Sequence, residues 1–320
     1  MKQESKVSLI GAGNVGATIA YSLAMNGSCH EVILVDRDEE RAKGKALDMS
    51  QSASVARSHT VVRAAESYEE IAGSKVVVIT AGSPRKPGMS RDDLLLTNAE
   101  IMKEVILKVK KHAPDAIVIV VSNPLDAMVY TALKIGNYPR NQVIGMAGIL
   151  DSARMASFIQ EKIGQGFGQI RASVIGGHGD DMVPLPRYST VAGIPLTDLL
   201  TAKEIDEIVE RTKKAGAEIV GYLKTGSAYY APAKSTAIMV ESILRNTRQI
   251  FPCAVLLDGE FGGYTDTVNG VPVILGNDGA EKIVEVTLNE CEKQLFKKSV
   301  ESVNSLIKTL KEKNFFGESE

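Results

Sequence analysis

The stretch KVSLIGAGNVG (Lys6–Gly16) decides the fold. A short apolar run ends in G-x-G-x-x-G and leads directly into a helix-forming segment, Asn14–Met25. On its own a glycine motif of this kind is a weak signal, and a plain structural turn would explain it. Here it joins a strand pattern to a helix pattern. Asp36 then closes the next apolar run, EVILVD (Glu31–Asp36), twenty residues beyond Gly16. That is the spacing of a dinucleotide-binding βαβ unit. Gly11 permits the tight turn, Gly13 lets backbone approach a pyrophosphate, and Gly16 lets the helix pack close to the strand. The helix N-terminus attracts the phosphates. Cofactor contacts are therefore expected from Gly11, Ala12, Gly13, Asn14, Val15 and Gly16. Asp36 would accept hydrogen bonds from the adenosine ribose and repel a 2′-phosphate. NAD is favoured over NADP on that ground, with Arg37 beside it as the opposing feature.

Outward from this unit, short apolar runs alternate with longer amphipathic ones. Lys75–Thr80, Ala116–Ser122 and Gln142–Met146 are rich in β-branched residues and nearly continuous, as strands covered on both faces are. Helix patterns lie between strands, as at Arg91–Lys111, where Ser90 and Asp93 have capping-box spacing. The alternation predicts a doubly wound Rossmann-type α/β domain with a parallel sheet over residues 1–147. From 148 to 313 the pattern is mixed, with short strand candidates at Arg171–Ile175, Ala254–Leu257 and Val271–Leu275. Long helical patterns run over Thr197–Lys224 and Thr287–Lys311. This predicts a mixed α/β substrate-binding and catalytic lobe, followed by a loose tail over 314–320.

Composition limits the function classes. The 320 residues are 44% hydrophobic with a formal charge of −2, enough apolar content for a large core and no basic excess for nucleic acid. No run approaches the ~18 apolar residues of a membrane span, and the N-terminus MKQESK opens on no apolar signal region. A cytoplasmic enzyme is the expectation. The three cysteines, Cys29, Cys253 and Cys291, lack any Cys-x-x-Cys spacing, so neither disulfides nor a metal site is expected.

Four further stretches carry chemistry. SPRKPGMSR (Ser83–Arg91) follows a strand end, where loops line the ligand crevice of open sheets. Its cations Arg85 and Arg91 flank a Pro-Gly turn at the mouth of that crevice; a closing loop would bring them onto an anion and exclude water. A solvated basic loop is the alternative, with about equal weight for Lys86. Asn123, held by Pro124, would present its amide at the next strand end, unless it is ordinary turn chemistry. Asp151 and Arg154 share a helix face at i, i+3. They form either a local ion pair or a functional pair in which Arg154 holds a carboxylate in its planar fork and Asp151 orients a histidine. His178 is that histidine, set among glycines in VIGGHGDDMVP (Val174–Pro184). An alcohol losing hydride must also lose a proton, and histidine titrates near working pH. The flanking glycines would let substrate and nicotinamide come close. His30, His59 and His112 lie in surface-like surroundings and carry no role.

GAGNVG (11–16), ITAGSPRKPGMSRDDLLLTN (79–98), VSNPLDAMVY (121–130), GMAGILDSAR (145–154), IGGHGDDMVP (175–184) and LKTGSAYYAPA (223–233) together resemble the lactate/malate dehydrogenase family over almost the whole chain. Within it the chain is most similar to the malate branch lying nearest the lactate enzymes. The resemblance implies a catalytic pair, His178 as proton acceptor with Asp151 as its partner. It implies Arg154 on the substrate carboxylate, Arg91 polarising the carbonyl, Asn123 on the substrate oxygen, and Asn98, Val121, Ser122 and Asn123 at the cofactor. It implies NAD-dependent, reversible oxidation of (S)-malate in the tricarboxylic acid cycle, on a small dicarboxylate, by a homo-oligomer, a tetramer before a dimer. Residue 85 separates the substrates, because lactate-type enzymes carry glutamine at the matching place. Arg85 would pair with the second carboxylate. Left unpaired in a closed site, it would cost about 3–5 kcal/mol, two to three and a half decades of discrimination. Ala228 would add room for the larger substrate. IGQGFGQ (Ile163–Gln169) is richer in glycine than the family pattern.

Overall fold

The computed structural model describes residues 5–84, 88–164 and 168–317. The first half runs β1 (Lys6–Ile10), α1 (Asn14–Met25), β2 (Glu31–Val35), α2 (Glu39–Val55), β3 (Val61–Ala64), β4 (Val76–Ile79), α3 (Arg91–His112), β5 (Ile117–Val120), α4 (Leu125–Gly136), β6 (Val143–Gly145) and α5 (Gly148–Ile163). The second half runs β7 (Ile170–Arg171), β8 (Val174–Ile175), β9 (Val183–Pro184), β10 (Thr190–Val191), β11 (Ile194–Pro195), α6 (Leu196–Leu199), α7 (Ala202–Leu223) and α8 (Tyr230–Arg245). It ends with β12 (Gln249–Asp258), the kinked turn α9 (Glu260–Gly263), β13 (Thr265–Gly276), β14 (Gly279–Ile283) and α10 (Glu290–Glu312).

The sheet order is β14-β13-β12-β6-β5-β4-β1-β2-β3. Strands β1 to β6 are parallel, in the doubly wound order expected from the alternation. Period-two alternation explains the two layers. Val7, Leu9, Val76, Val78 and Ile119 face one core with α1 and α8, while Ile10, Val77, Ile79, Val118 and Val120 face the other with α3, α4 and α10. Both faces are covered, so the strands read as continuous apolar runs. The sheet does not stop near residue 147. β12 pairs antiparallel with β6 through Ala254 and Gly145, and β13 and β14 extend it, so the two halves share one sheet.

Helix boundaries follow local chemistry. Ser90 and Asp93 cap α3 reciprocally, with Asp92 and Asp93 in its first turn and Lys110 and Lys111 in its last, matching the helix dipole at both ends. Three expectations need correction. The run Arg171–Ile175 is not one strand: Arg171 pairs with Thr190, whereas Val174 pairs with Pro184, and between them Ser173 N donates to Ser189 Oγ. The pattern Thr197–Lys224 is broken because Thr201 starts a new helix, its side chain and Glu204 forming a capping box. The tail does not begin at 314. Phe315 is 7% exposed, its ring lies under the Lys103 ammonium, and Phe316 packs edge-on against Tyr130 of α4.

That packing makes Phe315 part of the core. Phe315→Ala is expected to lower unfolding stability by about 3 kcal/mol. An unchanged urea midpoint would show that the burial contributes nothing.

Candidate active site

The loop after β1 is shaped by glycine. Gly11 has φ +109°, and a Cβ there would stand 2.6 Å from Thr80 Oγ1 and 2.9 Å from Ala81 N. A Cβ on Gly16 would overlap the Gly11 carbonyl oxygen. Gly13 caps α1 without a side-chain hydrogen bond, and a Cβ there would meet nothing within 4 Å. An uncapped helix N-terminus thus faces open space, which fits the phosphates of a dinucleotide. Beside it a cleft of about 630 Å³ is lined by Gly11, Gly13, Asp36, Tyr68, Thr80 and Ile101, room for an adenosine.

Asp36 closes that cleft, and its carboxylate is already held by protein. Oδ2 accepts from Ala12 N at 2.7 Å, and Oδ1 accepts from Asp38 N at 3.0 Å and from the Arg41 guanidinium at 2.9 Å. Burial opposes its charge, but the backbone donors and Arg41 outweigh burial and hold its pKa below the usual carboxylate value. Lys45, one turn beyond Arg41 on α2, donates to the Ala12 carbonyl at 2.7 Å. Neither cation has a signal in the sequence, since both sit on a polar helix rich in charge.

The ends of β4 and β5 are laced together. Asn98, buried on α3, accepts from Ser83 N at 2.7 Å and donates to the carbonyls of Ser83 at 3.1 Å and Asn123 at 2.7 Å. Ser122 Oγ donates to Ala81 O at 2.6 Å, and Val121 N donates to Ile79 O at 2.9 Å. The side chains of Asn98 and Ser122 are therefore engaged in holding the loop base against the strand ends. Asn123, before a cis peptide bond to Pro124, is exposed.

The acid–arginine pair is not a surface pair. Asp151 is 1% exposed and divides its carboxylate: Oδ1 accepts from Arg154 Nη1 at 3.2 Å, and His178 Nδ1 donates to Oδ2 at 2.9 Å. Donation is the only sense open to Nδ1 against an ionised carboxylate, which leaves Nε2 free to take a proton. Burial disfavours the imidazolium. The charge and hydrogen bond of Asp151, with the charge of Asp126, outweigh both burial and the opposing Arg154, so the His178 pKa is raised. Arg154 Nε is buried with no partner among the described residues. A Cβ on Gly148 would stand 2.6 Å from Val174 O, so glycine there lets α5 approach β8 closely enough to bring Asp151 to the histidine.

Two of the three glycines around His178, Gly176 and Gly177, serve packing rather than access, contrary to expectation. Gly176, with φ +88°, exchanges backbone hydrogen bonds with Gly270 of β13 at 2.8 and 3.1 Å. A Cβ on Gly177 would stand 2.9 Å from Val303 Cγ2 of α10. Only Gly179 is open, with nothing within 4 Å of a Cβ. Two residues that the sequence reading missed pin the segment: Ser299 Oγ accepts from Gly177 N at 2.7 Å, and Asp126 Oδ2 accepts from His178 N at 2.9 Å. Asp126 had a signal, a single acid in the apolar helix LDAMVYTAL. Arg91 is exposed at the first turn of α3, and Arg85 lies outside the described residues. Among the described residues no group of three or more His, Cys, Asp or Glu could hold a metal ion.

Two family models match: lactate/malate dehydrogenase, NAD binding domain, over residues 5–145, and lactate/malate dehydrogenase, alpha/beta C-terminal domain, over 149–314. The chain is 66% identical over 320 residues to a malate dehydrogenase of Sulfurimonas denitrificans, covering 100% of both chains. It is 62% identical over 319 residues to one of a Nitratiruptor species, covering 99% of this chain and 100% of the other. Its structure is similar to that of the malate dehydrogenase of Picrophilus torridus, with TM-score 0.92, 44% identity and coverage of 95% and 96%. It is also similar to a Cryptosporidium parvum lactate dehydrogenase in complex with lactic acid and nicotinamide adenine dinucleotide, with TM-score 0.92, 39% identity and coverage of 97% and 99%.

The pairing predicts a titration. His178 is expected to remain protonated above the ordinary histidine value of about 6.5, and Asp151→Asn should move it down by removing the charge. Imidazole NMR across pH reads both. A histidine titrating identically in the two proteins would break the assigned coupling.

Proposed function

The chain belongs to the lactate/malate dehydrogenase family, and from that membership we infer how its site works as an NAD-dependent oxidoreductase converting (S)-malate to oxaloacetate reversibly. The observation that carries the residue assignment is the buried chain Arg154–Asp151–His178, with contacts of 3.2 and 2.9 Å. In the oxidation, neutral His178 accepts the malate hydroxyl proton at Nε2. Asp151 fixes the tautomer and stabilises the imidazolium as it forms. Arg154 holds the carboxylate beside the reacting carbon in a bidentate fork, using guanidinium donors that Asp151 leaves free. Arg85 takes the far carboxylate, and Asn123 bonds the substrate oxygen.

In the reduction His178 returns the proton while Arg91 polarises the carbonyl. NAD, held by Gly11–Gly16, Asp36 and the β5 strand end, supplies the hydride acceptor when bound. Asn98 supports that end by fixing Ser83 to Asn123. Closure of residues 82–91 excludes water during transfer.

The same reading makes this a cytoplasmic enzyme of the tricarboxylic acid cycle and a homotetramer rather than a dimer. Among the described residues no helix is long and apolar enough to cross a membrane. Similarity to lactate enzymes supports the tetramer, and sedimentation measures it.

Three outcomes are expected in NADH assays. His178→Asn should lower kcat by about 10²–10⁴-fold; turnover near the parent rate would remove the base assignment. Arg85→Gln should erode the preference for oxaloacetate over pyruvate by roughly a hundredfold or more, and an unchanged ratio would take Arg85 out of specificity. Malate oxidation needs neutral His178 and oxaloacetate reduction needs it protonated. With its pKa raised, oxidation should rise and reduction fall through one inflection above about 6.5.

A further inference from the structure

His178 is oriented by one carboxylate through its ring and touched by a second through its backbone. Asp126 sits in the first turn of α4, three residues after Asn123, and is 4% exposed. Its Oδ2 accepts from His178 N at 2.9 Å, and its Oδ1 is buried without a partner among the described residues. A structural acid of this kind normally completes its hydrogen bonds, since an unpaired buried oxygen is costly. Here half the carboxylate is buried without a partner among the described residues, on a group that already touches the histidine segment.

We propose that Asp126 is a second positioning residue for the proton-transfer step, holding the His178 backbone while Asp151 holds the ring and adding its own negative field behind the imidazole. The proposal rests on His178 as the proton acceptor. Because Asn123–Pro124 lead directly into α4, Asp126 ties the histidine segment to the helix that follows the substrate-facing strand end. Two groups on one rigid helix turn then set the distance between proton acceptor and substrate oxygen, which is where small displacements cost rate.

The charged groups acting on Asp126 are His178 from the glycine segment and Asp151 from α5. α10 sets Ser299 and Val303 beside it, and α3 packs on α4 through apolar Leu95, Ala99 and Met102. On β13, Asp266 is engaged by Tyr130, Lys134 and Lys311. Burial raises the Asp126 pKa to about 6 against the hydrogen bond and charge of His178, so it carries charge at neutral pH at the expense of desolvation. Asparagine at 126 would keep an acceptor for the backbone N–H, remove the charge and relieve that desolvation.

The experiment compares Asp126→Ala, Asp126→Asn and the parent enzyme with malate and NAD. Asp126→Ala should lower kcat about tenfold or more, with NADH affinity by fluorescence within twofold of the parent. Asp126→Asn should recover most of that kcat and show no loss of thermal stability. Its inflection in the pH profile of malate oxidation should nevertheless lie below the parent's. Ser299→Ala, which removes a neutral anchor, should lower kcat without moving the inflection. Parent-like kcat in Asp126→Ala, or an unmoved inflection in Asp126→Asn, would overturn the proposal. If Asp126→Ala fails to fold, the Asp126→Asn inflection alone decides. Failure of the His178 assignment would appear separately, as turnover surviving His178→Asn.

Discussion

The buried carboxylate of Asp151, shared between a guanidinium and an imidazole, is the contact on which the rest of the site depends. On a helix surface an i, i+3 pair contributes at most about 1 kcal/mol. At 1% exposure the situation reverses. Both ions are desolvated, their mutual attraction repays this only with good geometry, and removing one partner leaves the other uncompensated. Asp151 meets that demand by using both oxygens, one for Arg154 and one for His178. One group thereby fixes both the Arg154 guanidinium and the His178 ring. Neither can shift without the other sensing it.

Such a carboxylate needs a scaffold that brings α5 close against β8. The fold achieves this with small residues. Gly148 lets α5 close on β8, and Gly176 and Gly270 let the histidine segment pair with β13. Strand β13 in turn belongs to the sheet carrying the phosphate loop, through β12 and β6. Cofactor end and proton-transfer end are therefore braced by one continuous set of backbone hydrogen bonds. Their separation is fixed by strand spacing rather than by a hinge between independent halves.

Much of this could be read from the sequence where the signal is local. The glycine fingerprint, the five apolar runs of the parallel sheet and the capping box at Ser90 each depend on residues a few positions apart, and each formed as expected. Function was legible where residue type limited the options, as with a glycine-flanked histidine and an acid–arginine spacing. What escaped was decided by partners far along the chain. Ser173 divides one strand-like run because Ser189 and Leu185 claim its backbone. Phe315 is in the core because Lys103 of α3 lies over its ring and the neighbouring Phe316 packs against Tyr130 of α4. The glycines at 176 and 177 were taken for an opening; the presence of Ser299 and Val303 opposite them, more than a hundred residues away, makes them a seam.

Two carboxylates in this protein, Asp36 and Asp126, have opposite protonation tendencies for reasons that are visible in their surroundings. Asp36, beside the adenosine cleft, receives two backbone N–H groups and an arginine, and its charge is favoured despite burial. Asp126 receives one backbone N–H and keeps one oxygen bare, and burial wins. The same functional group can therefore be held as an anion beside one cleft and be pushed toward protonation behind the histidine. Charge partners and donors, counted oxygen by oxygen, distinguish these behaviours. Burial alone does not, because both carboxylates are largely withdrawn from water.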